Sequence, residues 1–165
     1  GTEMSGVGAA FPDLFRGRSV ILTPQAGTAA GAVTLVRRAW EACGARVVRL
    51  DAGAHDALLA AVSHLPHVIA FTLVNMLAGR RDPARLFGLS AGGLRDTVRI
   101  AGSSPEMWAD ICVANRDPLL AALEDYENEL GQTRAAIERA DAQELRRLFA
   151  QARSAREKWL VKKRS

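Results

Sequence analysis

The chain has 165 residues, 48% of them hydrophobic and 24% charged, which suits one folded core, or one domain plus a piece of another, and excludes a disordered chain. Its net charge is +4, but the basic residues are interleaved with Glu and Asp. The only cluster (Lys158, Lys162, Lys163, Arg164) reads as a solvated helix end, so no nucleic-acid partner is expected. No apolar run approaches the roughly 18 residues of a membrane span and no signal peptide is evident, so neither membrane nor secretion is expected. Cys43 and Cys112 are far apart and match no metal spacing; both read as buried small hydrophobes in a reducing, cytoplasmic compartment. Aromatics are sparse at 5% and alanine and leucine dominate, so helix is the expected material. A start at Gly1 without an initiator Met suggests a fragment or a processed product.

Residues 1–18 read as loop, punctuated by Gly1, Gly6, Gly8, Pro12 and Gly17. Gly6-Val7-Gly8-Ala9-Ala10 looks superficially like a dinucleotide fingerprint, but no strand can precede it and the third glycine is missing. Ser19 to Thr23, β-branched and closed by Pro24, predicts a buried strand. Thr28 to Cys43 carries the helical stripe Ala32, Leu35, Val36, Ala39, Trp40, Cys43, with Gly44 as the stop. Arg46 to Leu50 is the second strand, completing a unit the size of one βαβ crossover. From Asp56 the pattern is helical throughout: Leu58, Leu59, Val62, Ile69, Leu73, Met76 and Leu77 recur at three- and four-residue steps. Pro66 inside that run predicts a kink. Breaks follow at Gly79 to Pro83 and at Gly88 to Gly93, then a short helix around Arg95 to Ala101. Ser103-Ser104-Pro105-Glu106 is a helix start, with a hydroxyl cap, proline in the first turn and an acid at the positive end. Asp117-Pro118 opens or bends a long helix carrying Leu119, Leu123, Tyr126, Leu130 and Ile137. Asp141-x-x-Glu144 is a capping box for a last helix with Leu145, Leu148, Phe149, Ala152 and Trp159 on one stripe.

All three histidines fall in His55-Asp56 and Ser63-His64-Leu65-Pro66-His67. His64 and His67 share a helix face, where they serve either as partly buried rings bonded to carbonyls freed by Pro66 or as ligand contacts; three histidines without a fourth ligand make a poor zinc site. In Gly92-Gly93-Leu94-Arg95-Asp96-Thr97-Val98-Arg99, Asp96 and Arg99 lie one helical turn apart. They form either a surface pair worth about 0–1 kcal/mol or a guanidinium held by a carboxylate for bidentate anion binding. The paired glycines allow close backbone approach to a ligand or neighbouring chain. Trp108 taken alone reads as core.

These segments, with Pro105-Glu106-Met107-Trp108 and Asn115-Arg116, resemble in order and spacing the C-terminal half of prephenate dehydrogenases, from Gly1 to about Trp159. The resemblance implies a mainly α fold. Residues 1–53 would be a strand–helix–strand remnant of an NAD-binding, Rossmann-like α/β domain, and residues 54–165 a helical bundle that dimerises and contacts substrate. It implies NAD-dependent oxidative decarboxylation of prephenate to 4-hydroxyphenylpyruvate in tyrosine biosynthesis, by a homodimer. His67 would touch substrate, His64 would orient the segment, and Arg99 would bind a carboxylate, with Arg95, Asp96 and Gly92 beside it. Trp108 would approach the pocket from the partner subunit, His55-Asp56 would be a supporting helix start, and Asn115-Arg116 would brace helices. Val98 departs from the family's usual threonine, which touches a supporting hydrogen bond and not the carboxylate contact. Gly1-Thr2-Glu3 matches the end of a family motif whose catalytic histidine, like the glycine-rich NAD loop, would lie upstream of Gly1, so no catalytic residue is expected within the chain. Arogenate or an amino-substituted prephenate is the alternative substrate, and a non-catalytic helical dimerisation module the alternative class.

Overall fold

A computed structural model of the protein describes residues 6–162. Gly1-Thr2-Glu3 and the tail residues Lys163 and Arg164 lie outside the described residues. The chain forms two compact units, one ending at Leu119 and one beginning at Leu120.

The first unit opens with a single 3-10 turn, Val7–Ala9, inside the expected loop. Strands β1 (Ser19–Leu22) and β2 (Arg46–Arg49) then pair in parallel, Ser19 opposite Arg46 and Leu22 opposite Arg49, joined by helix α1 (Ala30–Ala42). Gly44 ends α1 because the chain needs a left-handed residue there: its φ is +78°, and a Cβ would lie 3.3 Å from the Arg16 Cα. The Gly44 amide donates to the Glu41 carbonyl at 2.9 Å and the Ala45 amide to the Trp40 carbonyl at 3.1 Å, so the last carbonyls of the helix are satisfied. Phe15 meets Trp40 edge-on at 4.8 Å. The rest of the α1 stripe is uncovered, with Leu35 71% and Val36 44% exposed, because two strands cannot cover a helix of this length. Cys43 is exposed and Cys112 half-buried, which corrects the expectation that both are buried: Cys43 sits at the open C-terminal end of α1.

The helical part starts four residues earlier than expected. Asp51 caps α2 (Ala52–Leu59), its carboxylate accepting from the Ala54 amide at 2.8 Å. Helix α3 (Leu65–Ala78) follows after one π-helical turn, Ala60–His64. Pro66 has no amide hydrogen to give, and the wider turn just before it lets the Leu65 amide reach back to the Ala60 carbonyl, so the helix runs through the proline without a break. The continuous rod, Ala52–Ala78, is 27 residues long with an 18-residue window of mean hydropathy 1.8. By length and composition alone it could cross a membrane, which corrects the expectation of no such run. Asp56, Ser63, His64 and His67 interrupt the run as letters but leave its mean hydropathy high.

Short helices α4 (Pro83–Gly88, capped by Asp82), α5 (Gly92–Val98) and a 3-10 turn (Arg99–Gly102) pack against α3. Gly92-Gly93 was expected to break the chain but forms the first turn of α5, where both glycines face open space. Helix α6 (Pro105–Ala114) starts as expected: the Ser104 hydroxyl accepts from the Met107 amide at 3.2 Å and donates to the Glu106 carboxylate at 2.9 Å. Helix α7 (Arg116–Glu138) follows after Asn115 alone, with Pro118 in its first turn.

In the second unit, α7 turns into α8 (Ala142–Lys162). The Asp141 carboxylate caps α8 by accepting from the Glu144 amide at 2.9 Å. The reciprocal half of the expected capping box is absent, since the Asp141 amide donates to the Ala136 carbonyl and Glu144 pairs with Arg147 at 2.6 Å. Ala140 carries the turn with φ +51°, a left-handed conformation that costs a Cβ-bearing residue about 1 kcal/mol relative to glycine. Ala140→Gly is therefore expected to raise the unfolding midpoint in a thermal melt by a few degrees, roughly 2–4 °C. An unchanged or lower midpoint would mean that the turn carries no such strain.

Candidate functional site

Two of the three histidines are brought onto one tryptophan. The π turn and the first turn of α3 place His64 and His67 on one side of the rod, and α6 sets Trp108 against them. His67 stacks on Trp108 with ring centroids 3.6 Å apart and planes 18° from parallel; His64 meets the same indole edge-on at 6.0 Å. Trp108 is 8% exposed, and its Nε1 is buried without a hydrogen-bond partner among the described residues. That unpaired N–H carries a desolvation cost of about 1–3 kcal/mol, so the stack is held against an opposing penalty. Beside it an open cavity of about 300 Å³ is lined by Val68, Phe71, Asn75, Trp108 and Cys112 among others.

His67 Nδ1 lies 2.8 Å from the Ser63 carbonyl, one turn back, and His55 Nδ1 lies 2.9 Å from the Asp56 carboxylate. Asn115, at the corner between α6 and α7, reaches 59 residues back: its Nδ2 donates to the Asp56 carbonyl at 2.9 Å and lies 3.0 Å from His64 Nδ1. His64 and Asn115 are the buried polar side chains among the described residues. Burial, followed by the neighbouring His55 and His67, holds the His64 pKa below the usual histidine value, with Asp56 acting weakly the other way.

The expected anion-binding group sits nearby in the fold but on a different surface type. Gly92, Arg95 and Asp96 on α5, and Arg99 at the start of the 3-10 turn, are all exposed, on segments that pack against the same helix α3 that carries His67. Asp96 and Arg99 stand on either side of the junction where α5 tightens into the 3-10 turn. Trp108, expected to reach a pocket from a partner subunit, stacks on His67 of its own chain. The clasp made by Asn115 was not foreseen beyond helix bracing. The sequence signal that could have found it is an amide side chain at a helix–helix corner, where free backbone carbonyls and buried rings need donors. Arg116 pairs with the exposed Asp117, at 3.1 Å.

The β1–α1 turn joins the first strand to α1. Gly27 is left-handed there, with φ +88°, and α1 begins at Ala30 without a side-chain cap. No set of three or more metal-ligating side chains occurs among the described residues.

A parallel βαβ end followed by helices that converge on a histidine–tryptophan stack defines a two-part, helix-dominated protein. Residues 51–151 match the prephenate dehydrogenase dimerization domain and residues 1–49 the prephenate dehydrogenase nucleotide-binding domain. The chain belongs to the prephenate dehydrogenase family. It is 40% identical over 158 residues to the cyclohexadienyl dehydrogenase of Zymomonas mobilis, with 94% of this chain and 54% of that protein covered. The solved prephenate dehydrogenase of Aquifex aeolicus, in complex with hydroxyphenyl propionate and NAD+, superposes with a TM-score of 0.89 at 37% identity, over 96% of this chain and 56% of that one. Synechocystis arogenate dehydrogenase superposes with a TM-score of 0.84 at 30% identity, over 96% of this chain and 58% of that one. The chain thus spans about half the length of the curated relatives it matches.

Because the His64 pKa is lowered on folding, the unfolded chain binds a proton more readily than the folded one. The stability tied to neutral His64 is therefore present above the unfolded histidine value of about 6.5 and is lost as pH falls below it. Unfolding free energies measured from about pH 8 down to about pH 5.5 should decline, and His64→Gln should flatten that decline. An equal slope in both proteins would contradict the assignment.

Proposed function

We propose that this chain is the substrate-contacting and dimer-forming part of an NAD-dependent prephenate dehydrogenase. In the whole protein the reaction is oxidative decarboxylation of prephenate to 4-hydroxyphenylpyruvate, with carbon dioxide leaving and the ring becoming aromatic. NAD, when bound, supplies the hydride acceptor. The observation that carries the reading is the placement of His67 on α3 and of Arg99 on the 3-10 turn packed against that helix, within a chain that matches both domains of the family. Prephenate bears two carboxylates. The Arg99 guanidinium suits bidentate binding of one of them, with Arg95 adding positive charge and Asp96 steadying the arginines. His67 contacts substrate or product, His64 orients the turn, Trp108 fixes the plane of His67, and Gly92 leaves room for close approach. No residue of this chain is proposed as the acid–base group.

Three further assignments belong to the same proposal. The boundary between the nucleotide-binding and helical domains is placed at about residues 53–54, a few residues after the two family matches meet, one ending at residue 49 and the other beginning at residue 51. A second copy covers the apolar rod, in keeping with the dimerization-domain match. The protein works in the cytoplasm. Arogenate is the second reading for the substrate, favoured by the likeness to the Synechocystis arogenate dehydrogenase.

In the protein extended through its nucleotide-binding domain, NADH formation should be faster from prephenate than from arogenate when compared as kcat/KM. Arg99→Ala should raise KM for prephenate by about ten- to a hundred-fold, the loss of one charge-assisted contact. A preference for arogenate would move the second reading ahead, and no turnover on either substrate would leave a non-catalytic dimerisation module. An unchanged KM in the Arg99 variant would remove the carboxylate role.

A further inference from the structure

We propose that Asn115 is a positioning residue that fixes His64 as its Nε2–H tautomer, so that the Ser63–His67 turn offers one donor, His64 Nε2–H, and one acceptor, His67 Nε2. The role it gives these two edges toward substrate rests on the reading above; the tautomers themselves do not.

The Asp56 backbone carbonyl can only accept. Asn115 Nδ2 lies 2.9 Å from the Asp56 backbone carbonyl, so the amide must present its NH2 there and cannot be flipped. Its second hydrogen is directed at His64 Nδ1, 3.0 Å away. A donor facing Nδ1 requires a lone pair on that nitrogen, and a neutral imidazole then carries its proton on Nε2. Protonating Nδ1 as well would set two donors head to head in a buried site. The groups around His64 work the same way: burial disfavours its charge, His55 and His67 repel it when protonated, and Asp56 alone favours it.

His67 receives the opposite assignment from an equally one-sided partner. The Ser63 carbonyl, 2.8 Å from its Nδ1, can only accept, so Nδ1 holds the proton and Nε2 keeps its lone pair. Stacking on Trp108 at 3.6 Å holds that ring plane. Neither Nε2 atom has a hydrogen-bond partner among the described residues, and neither is sealed from solvent without one, a condition met only by Trp108 Nε1. The turn is therefore matched to a ligand that brings an acceptor to His64 and a donor to His67. Prephenate, with carboxylates and a ring hydroxyl, carries both kinds of group. A carboxylate brought to His67 instead would face a lone pair and would have to bring a proton with it.

The test is nitrogen-15 NMR of the histidine side chains in the full 165-residue chain. In the wild-type protein near neutral pH, His64 should show an unprotonated Nδ1 and a protonated Nε2, and His67 the reverse. In Asn115→Asp the new carboxylate can only accept, so the His64 Nδ1 resonance should shift into the protonated range at a pH where it is unprotonated in the wild type. A wild-type His64 carrying its proton on Nδ1 overturns the proposal, and that spectrum decides even if the aspartate variant does not fold. A folded aspartate variant with an unchanged His64 spectrum also overturns it. Added prephenate separates the two claims. Movement of the His64 and His67 Nε2 resonances supports the substrate role, whereas correct tautomers with no movement remove that role and leave the positioning role intact.

Discussion

The rod Ala52–Ala78 must meet two demands that pull against each other. It is apolar enough to need cover on most sides, yet it carries His55, Asp56, His64 and His67 within 13 positions, and a proline in the middle. Only 17% of its most apolar window is buried within the single chain. Leu58, Val62 and Met76 are 45%, 66% and 46% exposed. A helix left this bare in water forgoes most of the roughly 25 cal/mol per Å² that burial would contribute. Exposed apolar surface of this kind marks an interaction face.

The same rod sets the site. The π turn before Pro66 shifts the helical register by one residue, and that shift puts His64 inward against Asn115 and His67 flat against Trp108. Asn115 then ties the end of α6 back to α2, so the start of the helical part and the α6–α7 corner are linked through a single amide whose two hydrogens are both used. Buried polar groups paired in this way favour one arrangement, because losing either partner leaves a desolvated group unpaired. The Trp108 stack and the clasp thus depend on each other: α6 cannot move without opening both.

Much of this was legible in the sequence, for local reasons. The strands, α1 with its Gly44 stop, the Ser104 cap, Pro118 in the first turn of α7 and the Asp141 cap are all written in neighbouring residues, and each formed where local chemistry put it. The misreadings involve context. Asp51 outcompeted Asp56 as the start of the helical part because a cap needs its carboxylate outside the first turn, which hydrophobic spacing does not show. Gly92-Gly93 looked like a break, yet uncapped glycines can begin a short helix that leans on α3. Pro66 predicts a disturbance but not its form, and the π turn is a solution that only three-dimensional packing selects. The clasp from Asn115 to His64 joins residues 51 apart in the chain, a separation over which residue periodicity is silent.

As proposed, a second copy completes the bare rod Ala52–Ala78, on which the histidine–tryptophan site is built. Sedimentation velocity at micromolar concentration, with the rod intact, tests this directly. A species of twice the 17.7 kDa chain mass that does not dissociate on moderate dilution is the predicted result. A single, well-behaved monomer at that concentration would contradict it, because the apolar window would then have to be stable in water uncovered.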